Sequence, residues 1–181
     1  MQTSSQCFVK TKEYYECPQT VVKIINSFLK TLNTSIKSGL KLVCIESKDA
    51  IEVLACSNDA YNILGLLKCK HHNVFSAGIH IARISKDFKR ITPLLGLLNV
   101  INTPEKCYIV VNEHAEKLFL YGRDVFEESI LECSESLTEC KIVVVLNKLR
   151  EPIGWAKPQK LKHKIVVRNL LDLGWYLRCG V

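Results

Sequence analysis

Glycine-rich loops that cradle phosphates are missing from this sequence. Only eight glycines occur in 181 residues, and none forms a G-x-G-x-x-G turn, a P-loop or a loop suited to S-adenosylmethionine. The G-x-S-x-G elbow and the H-E-x-x-H helix are absent too, so the common nucleotide, hydrolase and metalloprotease patterns do not apply. The expectation is a protein without catalytic residues and without a cofactor. Asp49, Asp59 and Asp87 fall in predicted turns or caps, where aspartate is favoured for local hydrogen bonding alone.

Long apolar runs are missing as well. No stretch of eighteen apolar residues exists, and the beginning MQTSSQCFVKTKEYYE lacks a basic-then-apolar signal, so neither membrane insertion nor secretion is expected and the protein reads as intracellular. An apolar share of 48% is enough for a substantial core. The nine cysteines contain no C-x-x-C, which removes zinc-ribbon and thioredoxin spacing. Cys69, His71 and His72 form a C-x-H-H group without an evident fourth ligand, so no metal is expected. Most cysteines lie in apolar runs and read as small buried hydrophobes. In a hyperthermophile, where intracellular disulfides occur, Cys44 with Cys56 or Cys133 with Cys140 are the pairs to consider.

What is present begins with an amphipathic helix over residues 18–37, whose stripe includes Val21, Val22, Phe28 and Leu32. That stripe is wide enough to leave an apolar docking patch, although a broad buried face explains it equally well. A hairpin over 40–46 and 51–56, a second helix from Ser57 or Asn58, a strand over 74–84 bent at Gly78, a returning strand over 89–92 and a short helix over 94–100 follow. Residues 102–105, Asn-Thr-Pro-Glu, are the plausible joint. The fold class is therefore α+β: an N-terminal α/β domain with an antiparallel sheet over 1–103, and a small β-barrel over 104–181.

Charge is unevenly distributed. Residues 1–104 carry 13 Lys and Arg against 7 Asp and Glu, residues 105–139 carry 3 against 9, and residues 140–181 carry 9 against 2. A concentrated basic segment is what a phosphate-backbone binder needs, and a solvated face is the plain alternative. Lys160, Lys162 and Lys164 alternate, so an extended strand would project them from one face, flanked by Lys157 and Arg168. Trp155, Trp175 and Tyr176 are candidates for base stacking, against the plain alternative that they are core. Should the surface lie elsewhere, Arg83, Lys86, Lys89 and Arg90 are the next basic group.

Three motifs carry a resemblance. Phe119-Leu120-Tyr121-Gly122, Pro152-Ile153-Gly154-Trp155-Ala156, and Asp172, Gly174, Tyr176 and Arg178 in D-x-G-x-Y-x-R spacing are similar to the C-terminal PUA domain of the Nip-seven family of ribosome-biogenesis factors. That resemblance implies a PUA-like barrel and a monomeric RNA-binding adaptor that contacts single-stranded pre-rRNA with weak sequence specificity. Arg178 joins the RNA-contacting set on that basis. It also implies large-subunit assembly proteins, with the exosome among them, as partners, and a nucleolar or archaeal cytoplasmic location. The alternative is an RNA-binding accessory subunit of a pseudouridine synthase or transglycosylase.

Overall fold

A computed structural model describes residues 13–69, 74, 77–135, 137–161 and 164–179. The N-terminal half runs β1 (Tyr14–Glu16), α1 (Gln19–Thr31), β2 (Leu40–Glu46), β3 (Ala50–Ser57), α2 (Asn58–Cys69), β4 (Ile79–Ser85), β5 (Ile91–Pro93) and α3 (Leu95–Val100). Its five strands form one antiparallel sheet in sequence order. The mixed α+β class with an antiparallel N-terminal sheet is therefore present. Strand β3 reads IEVLAC because both faces are covered. Val53 and Ala55 face α1 and α3, while Leu54 and Cys56 face Ala60, Tyr61 and Leu64 of α2.

Helix α1 is shorter than its apolar pattern predicts. It stops at Thr31, and Asn33 takes a left-handed φ of 47°. Val21 and Leu32 are fully buried, and Val22 and Phe28 are partly buried against the same core. Val21 and Leu32 are thus taken up by packing, while Val22 and Phe28 keep part of their surface, so the docking patch expected there is reduced to those two.

The C-terminal half contains β6 (Tyr108–Val111), α4 (Glu113–Leu120), β7 (Val125–Phe126), β8 (Ile130–Cys133), β9 (Val143–Leu146), β10 (Pro152–Leu161), β11 (Lys164–Asp172) and α5 (Trp175–Cys179). The strands make a curled six-stranded sheet in the order β7-β11-β10-β9-β6-β8, antiparallel except for the β6–β9 pair. Helix α4 is capped at its start by the Asn112 side chain, which accepts from the Ala115 N–H at 2.8 Å. At its end Gly122 has φ 81° and its N–H donates to the Phe119 carbonyl, a left-handed stop that suits glycine.

Strand β9, Val-Val-Val-Leu, shows why the two halves are joined. Val143 and Val145 point into the curled sheet with Phe119 and Val167, whereas Val144 and Leu146 belong to the same buried cluster as α1 and α3. A strand buried on both faces has no reason to alternate. The connecting segment is pinned too, with the Glu105 and Lys106 N–H groups donating to the Leu32 carbonyl and the Asn102 N–H to that of Ser35.

Two disulfides correct the reading of cysteines as free hydrophobes. Cys44 pairs with Cys17 and Cys140 with Cys107, so neither pairing considered from the sequence occurs. The partners missed were the distant ones, 27 and 33 residues away, that β1–β2 pairing and the curl of the second sheet bring together. Cys56 is a free buried thiol, its pKa pushed up by burial, and Cys133 is free and exposed. Among the described residues no helix is long and apolar enough to cross a membrane.

Candidate nucleic-acid interface

The basic C-terminal segment does not stand alone in space. Its acidic predecessor folds around it. Glu128 meets Lys164 at 2.6 Å, and Glu132 meets Arg150 at 2.8 Å while accepting from the Tyr108 hydroxyl. These contacts hold both carboxyls below the usual glutamate range, with the Lys164 bond the largest cause for Glu128 and the Tyr108 bond for Glu132. The Glu128 hydrogen bond in turn raises the Lys164 pKa. Part of the charge asymmetry seen along the chain is therefore neutralised across it.

What remains is a smaller set on the β10–β11 hairpin. Lys157 lies directly opposite Arg168, and Gln159 opposite Val166. Lys157, Lys160 and Arg168 are exposed, and none has an ion-pair partner among the described residues. The expected single row of lysines is corrected. Strand β10 extends to Leu161, which pairs with Lys164, so the chain has reversed between them and Lys160 and Lys164 lie on opposite faces. Lys162 lies outside the described residues, as do His71, His72 and the Cys69 side chain.

Trp155 is no stacking platform. It is 1% exposed, its indole Nε1–H donates to the Leu94 carbonyl at 3.1 Å, and its ring is tilted against Phe28 with centroids 5.9 Å apart. It is the largest side chain buried between the halves. Trp175 and Tyr176 remain exposed, at 44% and 62%, with their rings edge-to-face at 5.4 Å. Beside α5, a cleft of about 400 Å³ is lined by Tyr121, Leu173 and Leu177. Tyr121, 73% exposed, was absent from the stacking candidates, because Phe119-Leu120-Tyr121-Gly122 entered the sequence reading only as a motif of the resemblance. Its place before a left-handed glycine, with Arg123 just after, was the available signal.

Arg178 is held by the fold. It forms a two-pronged ion pair with Asp172, with nitrogen–oxygen distances of 2.9 and 2.8 Å, and donates to the Leu120 carbonyl. Asp172 is 1% exposed and also accepts from Asn169 Nδ2, which donates to the Phe119 carbonyl as well. Gly154 is bare for a steric reason: an added Cβ would lie 2.5 Å from the Leu171 carbonyl oxygen and 2.6 Å from the Phe119 ring. Gly174 is pressed onto the Leu120 carbonyl in the same way. The three motifs thus meet in one knot of α4, β10, β11 and α5. Among the described residues no group of three or more His, Cys, Asp and Glu side chains gathers as a metal site would require.

A curled mixed sheet with this helix and knot at one corner defines a PUA domain, a module that generally binds RNA. The UPF0113 PUA domain family model matches residues 107–181. A UPF0113 protein of Archaeoglobus fulgidus is 32% identical over 135 residues, covering 70% of this chain and 72% of that one. Another, from Aeropyrum pernix, is 33% identical over 106 residues, or 59% of this chain; the match spans about half (51%) of that relative's length. The chain belongs to the UPF0113 family. Among solved structures, a conserved PUA domain protein from Thermoplasma acidophilum has a TM-score of 0.61 at 17% identity, covering 93% of this chain and 99% of that one. A hypothetical protein from Pyrococcus horikoshii has a TM-score of 0.51 at 17% identity, covering 91% and 99% respectively, and shares the fold.

These matches correct the Nip-seven resemblance, since both relatives and the family model are UPF0113. The physical reason lies in the knot. Gly154, Gly174 and the Asp172–Arg178 pair answer packing demands of a PUA scaffold, so they identify the domain and not a particular branch of its bearers.

Proposed function

We propose that this chain is a non-catalytic adaptor that binds single-stranded RNA through the exposed face of the β10–β11 hairpin. The observation that carries this reading is the cross-strand pair of Lys157 and Arg168. Like charges directly opposite on neighbouring strands destabilise a sheet, and a bound phosphate relieves that repulsion. Trp175, Tyr176 and Tyr121 supply exposed flat surfaces for unpaired bases on the same half. The RNA-binding unit is assigned to 104–181 and the partner-contacting unit to 1–103, a division supported by the family match beginning at Cys107.

Within this reading, ribosomal RNA is the narrower target, with large-subunit assembly proteins, the exosome among them, as partners of a monomeric intracellular protein. Salt-dependent binding of a labelled oligouridine tests the surface. Lys157→Ala with Arg168→Ala should weaken binding and flatten the salt slope by about 0.7, the value for one phosphate lost. An unchanged slope removes the hairpin from the interface. Crosslinking and sequencing of RNA bound in cells tests the target: ribosomal fragments support the narrower reading, and enrichment of one tRNA class favours an accessory subunit of a modifying enzyme.

A further inference from the structure

An unassigned basic feature lies between the two halves. A cleft of about 430 Å³ opens where Phe28 and Thr31 of α1, residues 89–91 leading into β5, and residues 139–142 leading into β9 come together. This volume lies within the range of small-ligand sites. Its lining combines Phe28, Ile91, Ile142 and the cysteines of the Cys107–Cys140 disulfide with Lys89, Arg90 and Lys141. Those three cations are exposed and have no ion-pair partner among the described residues; Glu139 is the single acid in the lining.

The turn that presents two of these cations is built firmly. Asp87 accepts from the Ser85 hydroxyl and, at 3.1 Å, from the Lys89 N–H. The Ser85 Oγ accepts from the Arg90 N–H at 3.0 Å. Phe88 sits in this turn at φ 57° and is 41% exposed, an unusual backbone state for a bulky residue and one that tends to persist where a site requires it. The third cation, Lys141, follows directly on Cys140, which the disulfide anchors to the start of β6.

We infer that this interdomain cleft binds a nucleotide unit of single-stranded RNA, with Lys89, Arg90 and Lys141 on the phosphate and the base against the Phe28–Ile142 wall. The inference rests on the RNA-binding reading and extends it to the N-terminal half. Phe28, which forms part of the wall, also packs on Trp155 of β10, the strand that carries Lys157.

Fluorescence anisotropy with labelled oligouridine, on the full chain, tests this. Arg90→Ala with Lys141→Ala is compared with the charge-matched Lys23→Ala with Lys30→Ala on α1, and thermal unfolding confirms that each variant is folded. The expected result is about tenfold weaker binding and a salt slope smaller by about 0.7, the value for one phosphate contact, in the cleft variant only. If wild type binds RNA and both variants match it, or both weaken equally, the cleft is overturned while RNA binding stands. Uridine monophosphate is titrated in parallel. Wild-type binding of the nucleotide that the cleft variant loses, without RNA binding, overturns the RNA assignment in favour of a free nucleotide. Binding of neither overturns both readings.

Discussion

Two cations of the C-terminal segment are used in opposite ways. In the middle of β11 Arg168 faces Lys157 across the sheet and both are exposed. Past the end of that strand, Arg178 is locked onto a carboxylate that is almost wholly buried. Along the chain these residues belong to one basic segment, and composition cannot separate them. The difference is topological: Asp172 is fixed under α4 by Asn169, and the tight turn at Gly174 brings Arg178 back over it. A cation close to the chain's own buried acid serves the fold. A cation facing another cation is open to a ligand.

The sharpest way to break that comparison is at the residues assigned to structure. Trp155→Ala should destabilise the protein by about 3–5 kcal/mol, because a large buried side chain is lost along with the partner of the Leu94 carbonyl. Chemical denaturation measures it. A fully stable variant with weakened RNA binding would restore Trp155 as a stacking residue. Arg178→Ala comes next, at about 2–4 kcal/mol. It leaves Asp172 buried without its counter-ion, and the partial exposure of the arginine lowers the figure. The folded fraction of this variant should keep the wild-type salt slope in RNA titrations. A slope reduced by about 0.7 would return Arg178 to the interface.

Much of the fold is legible from local pattern. The hairpin turn at residues 47–50 rests on a few neighbouring residues and the structure has it, whereas β4 begins at Ile79, so the left-handed Gly78 precedes the strand it was expected to bend. What local pattern does not carry is pairing at a distance. Cys17 with Cys44, Cys107 with Cys140 and Glu128 with Lys164 all depend on which strands become neighbours. The site suffers most from this. Lys160 and Lys164 look like one row because alternation assumes an unbroken strand, whereas the β10–β11 pairing sets them on opposite faces. Trp155 could be weighed between core and surface, but its apolar neighbours do not reveal that the buried space beyond it is filled by Phe28 of the other half.

At the hairpin the comparison predicts function without stability. Removing Lys157 and Arg168 should weaken RNA binding while leaving the denaturation midpoint within the small range of surface substitutions. A slight gain in midpoint is the more informative result, since like charges opposite one another are relieved.

The smallest expected effect concerns Lys164, which lies between the two cases: exposed, yet paired with an exposed glutamate. Glu128→Gln removes the acid and frees the lysine, so RNA affinity should rise by a small factor at low salt and by none at high salt. The accompanying pH effect has a definite sign. The folded Glu128 pKa is held below its ordinary value by the Lys164 hydrogen bond. Its stabilising contribution is therefore present above the ordinary glutamate pKa and is lost as pH falls through the depressed folded value. The wild type should lose stability over that acid window slightly faster than Glu128→Gln, and denaturation curves across acid pH for the two proteins measure the difference. Parallel curves, with unchanged RNA affinity, would mean that the pair exerts no hold on Lys164, which would then join Lys157 and Arg168 among the cations open to phosphate.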